Sequence, residues 1–125
     1  MTGGEMRRGE LWWASLPLPA GRRPVVVVQS NPFNESAIGT VVVALVTSNL
    51  GLARARGNLR ISRAQSGLPK ASVINVSQIH TIDKDRLTER LKALPADVMA
   101  QVDEGIKLVL GLEGPGRINI TVVDH

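Results

Sequence analysis

The densest chemistry in this sequence is basic: Arg54, Arg56, Arg60, Arg63 and Lys70 fall within residues 50–71, among three glycines and no acidic residue. Cationic side chains at that density either hold phosphates or simply solvate a loop, and composition leaves both readings open. Other reactive candidates are few. His80 and His125 are the only histidines, and neither has a second ligand at helical or hairpin spacing, so no metal site is expected. His80 lies in an alternating segment, where a histidine more often packs or faces solvent than serves as a general base. The chain has no cysteine, which excludes a thiol nucleophile, a thiolate metal site and a disulfide framework. No Gly-x-Ser-x-Gly elbow, Gly-x-x-x-x-Gly-Lys loop or Gly-x-Gly-x-x-Gly turn is present, so the common hydrolase and nucleotide chemistries lack support and no cofactor is expected.

Charge is unevenly spread along the chain. Residues 1–70 hold nine basic and three acidic residues, whereas residues 71–125 hold six and eight, within a formal net charge of +4. A basic N-terminal half invites a polyanionic partner. Trp12, Trp13 and Phe33 are the only aromatics, too few for a broad stacking platform, so nucleic acid would be held mainly by arginine and backbone. No apolar run approaches the roughly 20 residues that span a bilayer, and Met1-Thr-Gly-Gly-Glu5 lacks the pattern of a signal peptide. The expectation is a cytoplasmic protein with no membrane association.

The elements that would position such residues read mainly as strands. At 125 residues a single domain is expected, with a core of its own. Gly9–Leu16 has the content of a first strand, closed by Pro17 and Pro19. Arg22-Arg23-Pro24 then leads into four valines, Val25–Val28; such a run favours extended backbone buried on both faces. Pro24 biases Arg23 away from helix, fixing it at a strand end. Ser30–Gly39 reads as a loop and Thr40–Thr47 as another β-branched strand. A short strand is expected near Asn58–Ser62, and strands at Ser72–Val76 and Gln78–Ile82. Lys84–Leu94 does not distinguish helix from strand by periodicity. After Pro95, the spacing of Val98, Val102, Ile106 and Val109 predicts a helix ending at Gly111. Glu113–His125, set off by Gly-Pro-Gly, reads as a tail or a strand completed by a partner. With no βαβ alternation, an antiparallel barrel plus one helix is favoured over a nucleotide-binding α/β fold.

Three segments resemble the MazF/PemK toxins, in that family's order. Arg8-Gly-Glu-Leu-Trp12 is similar to its opening strand. Arg22-Arg23-Pro24-Val25 continuing to Asn31, with Val42–Asn49, resembles its Arg-Pro-valine strand and its strand ending in Thr-Ser. Ser72–Leu87, containing Gln78-Ile-His80-Thr-Ile-Asp83-Lys84, resembles its Gln-Ile-Arg-Thr-Ile-Asp-Lys segment. The resemblance covers about residues 7–112 and implies a mainly β, α+β fold: a small SH3-like antiparallel barrel with a C-terminal helix, shared with CcdB-type toxins, in which residues 87–94 form a short strand.

That resemblance also implies an activity, a toxin endoribonuclease of a toxin–antitoxin system, with Arg23 and Thr47 as its catalytic pair. Single-stranded RNA would be cut at a short motif without a metal, because the 2′-hydroxyl supplies the nucleophile from within the substrate. The products would be a 2′,3′-cyclic phosphate and a 5′-hydroxyl. Arg23 would stabilise charge on the phosphate and Thr47 would give one hydrogen bond; a guanidinium that stays protonated is a reluctant base, so the proton-transfer group is left open. Arg22, Ser48, Asn49, Arg54, Arg56, Gln78 and His80 are the candidate RNA contacts. A cognate antitoxin and a second copy of the chain are the implied protein partners. Two departures from the family bear on substrate choice: residues 16–21 lack its Glu and Gln, and His80 stands where it usually has Arg. The rival readings are a CcdB-like toxin that inhibits a topoisomerase by contact, and a non-catalytic nucleic-acid-binding regulator.

Overall fold

The structure is a computed structural model that describes residues 6–112. The stretch from Glu113, expected as a tail or partner-completed strand, lies outside the described residues. Among the described residues, six strands form one antiparallel sheet: β1 Glu10–Ser15, β2 Arg22–Val27, β3 Thr40–Thr47, β4 Leu59–Ile61, β5 Ser72–Asp83 and β6 Leu87–Ala93. Their lateral order is β4-β5-β3-β2-β1-β6. Helices α1 (Asn31–Glu35), α2 (Arg63–Ser66) and α3 (Ala96–Leu110) lie between or after them. The segment left open by periodicity, 84–94, is largely strand β6.

The pleat sorts side chains onto two apolar faces, and the sheet curls so that each has a cover. Leu11, Val26, Ala44, Val46 and Ile74 share one face with Val98 and Val102 of α3. Trp12, Ala14, Val25, Val27, Val43 and Leu45 share the other with Met6 and Leu87. Val25, Val26 and Val27 are all fully buried, which is why consecutive valines suit β2: a strand covered on both sides has no polar face to alternate.

The structure corrects two expectations. Ser30–Gly39 is not all loop, because Asn31–Glu35 forms the five-residue helix α1 with Pro32 in its first turn; proline is pre-organised for a first helical turn, and so short a helix leaves no periodicity to read. The two strands expected at 72–76 and 78–82 are one strand, β5, with a bulge. Leu45 pairs with Asn75 and Ala44 with Ile79, so one step along β3 is matched by four along β5. Asparagine side chains satisfy the freed backbone: Val76 N–H donates to Asn58 Oδ1 at 2.9 Å and Ser77 N–H to Asn75 Oδ1 at 3.3 Å.

Several residues that carry the family resemblance hold the frame together. Glu10 is buried; its Oε1 accepts from Arg7 N–H at 2.9 Å and Trp12 Nε1 at 3.0 Å, and its Oε2 from Arg90 at 3.1 Å. Gly9, at φ +93°, makes the turn that lets its N–H reach Val27 O. Lys84 is buried and donates to the carbonyls of Asn34 and Ser36 at 3.0 and 3.1 Å, closing the C-terminal end of α1. Asn31 Oδ1 accepts Arg8 N–H at 2.7 Å. Helix α3 rests on the basic loop through glycine: a Cβ at Gly105 would stand 2.3 Å from Gly57 O.

Candidate active site

The last recorded β2–β3 pair is Val25 with Leu45. Continuing that register two residues sets Arg23 opposite Thr47, and because side chains alternate along a strand both belong to the face that holds Val25 and Leu45. Pro24 helps to end the ladder there, since it has no N–H to donate. Arg23 Nη2 instead bonds Val46 O at 3.4 Å. Arg23 and Thr47 are both half-buried, shielded enough to be held and open enough to meet a ligand.

Where the ladder stops, a cleft of about 290 Å³ opens. Its lining includes polar residues, Arg23, Thr47, Ser48, Lys70 and Ser72, and apolar ones, Trp13, Pro24, Val46, Leu68 and Pro69. Thr47 Oγ1 accepts the N–H of Asn49 at 3.1 Å, which leaves its own proton free to be donated into the cleft. Asn49 is occupied locally: its Oδ1 accepts from Gly51 N–H at 3.1 Å and caps the 3₁₀ turn Leu50–Arg54. Ser72 Oγ donates to Lys70 O at 3.0 Å, bracing the backbone that carries Lys70.

Of the residues singled out from sequence, the cleft gathers Arg23, Thr47 and Ser48. Arg22 lies elsewhere: its guanidinium sits 4.1 Å from the centroid of the Trp13 ring and pairs with Glu89 at 3.2 Å, a stacking worth about 0.5–1 kcal/mol at an exposed site. Gln78 and His80 lie at and beyond the β5 bulge, 3.4 Å apart. His80 pairs with Val43, four residues from Thr47 on β3, roughly 13 Å along the strand. It lines a separate recess with Leu16, Leu45, Ile82 and Arg86. Arg54 and Arg56 are exposed on and after the 3₁₀ turn. Trp13 and Lys70 were not legible as site residues: Trp13 reads as an ordinary strand aromatic and Lys70 as one of five loop cations. Among the described residues, no three His, Cys, Asp or Glu side chains cluster as a metal site, and no helix is long and apolar enough to cross a membrane.

The profile of the family described as PemK-like, MazF-like toxin of type II toxin-antitoxin system matches residues 7–110. The chain belongs to this family. A curated MazF relative, "Endoribonuclease MazF6" of Mycobacterium tuberculosis, is 44% identical over 110 residues, covering 84% of this chain and 96% of that protein. "Endoribonuclease MazF2" of Mycobacterium bovis matches to the same extent. The solved "Endoribonuclease in complex with its cognate antitoxin from Mycobacterial species" superposes with a TM-score of 0.75 at 22% identity, covering 88% of this chain and 99% of the other. A MazE-MazF structure from Deinococcus radiodurans does so at 0.70 and 25%, covering 85% and 95%. The curled sheet and C-terminal helix are therefore the MazF-type fold, an α+β arrangement built around a small barrel.

Proposed function

We propose that this MazF/PemK toxin is an endoribonuclease that cuts single-stranded RNA at a short motif, with Arg23 and Thr47 acting on the scissile phosphate. The observation that carries the reading is the juxtaposition of those two side chains in one cleft with Ser48 and Lys70. Attack by the 2′-oxygen forms a bond to phosphorus as the bond to the 5′-oxygen breaks. The 2′-hydroxyl loses its proton and the departing 5′-oxygen gains one, leaving a 2′,3′-cyclic phosphate and a 5′-hydroxyl. Charge gathers on the non-bridging oxygens, where the planar donors of Arg23 and the hydroxyl of Thr47 stabilise it most in the transition state. The internal nucleophile already contributes what a metal-bound water would otherwise supply.

The same reading places the toxin in the cytoplasm as a two-fold homodimer held in check by a cognate antitoxin. Family membership favours the nuclease over a CcdB-like topoisomerase inhibitor, and an arginine beside a threonine hydroxyl suits a phosphate better than a protein contact. Purified protein incubated with a long RNA in EDTA is the test. Discrete fragments with cyclic phosphate ends are expected, and strict dependence on added Mg²⁺ would overturn the mechanism.

A further inference from the structure

We propose that Trp13 is a base-stacking platform for the nucleotide beside the scissile phosphate, held in place from behind by Arg22 and Glu89. The inference rests on the nuclease reading of the cleft and adds a subsite to it. The cleft lies where the β2–β3 ladder ends and draws on both faces of the sheet: Arg23 and Thr47 come from one, and Trp13, Pro24 and Val46 from the other, so that groups suited to a phosphate and groups suited to a base line one space. Once a phosphate is at Arg23 and Thr47, its attached nucleoside must dispose of a flat, largely apolar base. The apolar residues of the lining are where that base loses least by leaving water.

Trp13 is the one aromatic side chain in that lining, and it is half-buried. Trp12, next to it, points to the opposite face of β1, where it is buried with its Nε1 bound to Glu10. Arg22 lies over the Trp13 ring at 4.1 Å but does not line the cleft. The guanidinium thus stacks on the indole from outside the cleft lining, while Trp13 itself contributes to that lining. Glu89, across the sheet on β6, fixes Arg22 through a 3.2 Å ion pair. Base, indole and guanidinium would form one stack, in which Arg22 is a positioning residue that acts through Trp13 rather than on a phosphate. Stacking is tolerant of base identity, so Trp13 supplies affinity and geometry while hydrogen-bonding groups elsewhere choose the sequence.

A double-mutant cycle between protein and RNA tests this. The full chain, wild type or with Trp13→Phe, Trp13→Leu or Arg22→Gln, is assayed on a short RNA containing its mapped cleavage motif, intact or with an abasic residue at each position in turn. In the wild type, loss of the base at one position flanking the cut should lower kcat/KM by roughly 10-fold to 100-fold. With Trp13→Leu that penalty should nearly vanish at the same position and persist at the others. Trp13→Phe should retain most of it, and Arg22→Gln should weaken it without shifting its position. A parallel measurement uses 2-aminopurine at that position in a 2′-deoxy, uncleavable strand; its fluorescence should be quenched by wild type and less so by Trp13→Leu. Quenching without any cleavage of RNA would sink the nuclease reading and leave the stacking intact. Cleavage with equal abasic penalties in wild type and Trp13→Leu would overturn the stacking. Retained penalties together with a loss of antitoxin affinity would overturn it too, and reassign Trp13 to a protein contact.

Discussion

The hydroxyl oxygen of Thr47 accepts the backbone N–H of Asn49 at 3.1 Å. This bond uses the oxygen as acceptor and leaves the O–H available to donate, so the proposed role demands the hydroxyl and not the methyl beside it. Thr47→Ser should keep most activity, whereas Thr47→Ala should lower kcat by roughly 10-fold, the loss of one neutral hydrogen bond that strengthens in the transition state. Single-turnover cleavage of a defined oligonucleotide separates the two. Equal rates for the alanine variant and wild type would remove Thr47 from the chemistry.

In the proposed mechanism Arg23 carries the heavier load. Its replacement by alanine should slow cleavage by roughly 10²–10³-fold, as loss of a strong oxyanion donor does, while RNA affinity moves little. Arg23→Lys should recover only part of the rate because an ammonium keeps the charge and loses the fork. The contact to Val46 O at 3.4 Å is long and contributes little to folding, so melting temperatures should stay close to wild type. A near-normal rate for Arg23→Ala would hand the phosphate to Lys70.

Gly105→Ala sets helix propensity against packing. Alanine gains about 1 kcal/mol in a helix interior, but its methyl would stand 2.3 Å from the carbonyl oxygen of Gly57, and backbone cannot yield as a flexible side chain can. The clash should win, with a net destabilisation of about 1–3 kcal/mol read as a lower midpoint in urea. Gly39, with nothing within 4 Å of its would-be Cβ, is the control: Gly39→Ala should leave the midpoint near wild type. A stabilised Gly105→Ala protein would show that the loop gives way.

Glu10 should be a stability residue rather than a catalytic one. Glu10→Ala strands two donors, Arg7 N–H and Trp12 Nε1, and should cost about 2–4 kcal/mol. Glu10→Gln can keep both and loses mainly the pair with Arg90, which is largely exposed, so it should cost about 1 kcal/mol or less. Cleavage per folded molecule should be unchanged in both; a selective fall in kcat at unaltered stability would contradict this.

The sequence was most legible where periodicity and β-branching run long. Val25–Val28 and Thr40–Thr47 declare buried strands, and Val98 and Val102 mark the face of α3. The pair proposed as catalytic was expected only through family resemblance, because an arginine before a proline and a threonine at a strand end are individually commonplace. Glu10 and Lys84 stood out as motif residues, yet their work is internal hydrogen bonding, a distinction spacing cannot make. His80, a candidate RNA contact from the sequence, pairs with Val43 beyond the bulge, at a distance along β3 from Thr47 that the motif alone does not reveal. The role proposed for Trp13 was hidden because it depends on where the β2–β3 ladder stops, a property of two strands at once.

The bulge in β5 has a consequence for how such a protein can diversify. It divides the strand into a part registered on Leu45–Thr47 and a part registered on Thr40–Ala44, with asparagine amides bridging the break. Substitutions near His80, or a change in the length of the bulge, can be absorbed at that break before they reach Thr47. The fold is thus modular along a single strand: one segment can change in sequence or length while the register that holds Thr47 stays as it is.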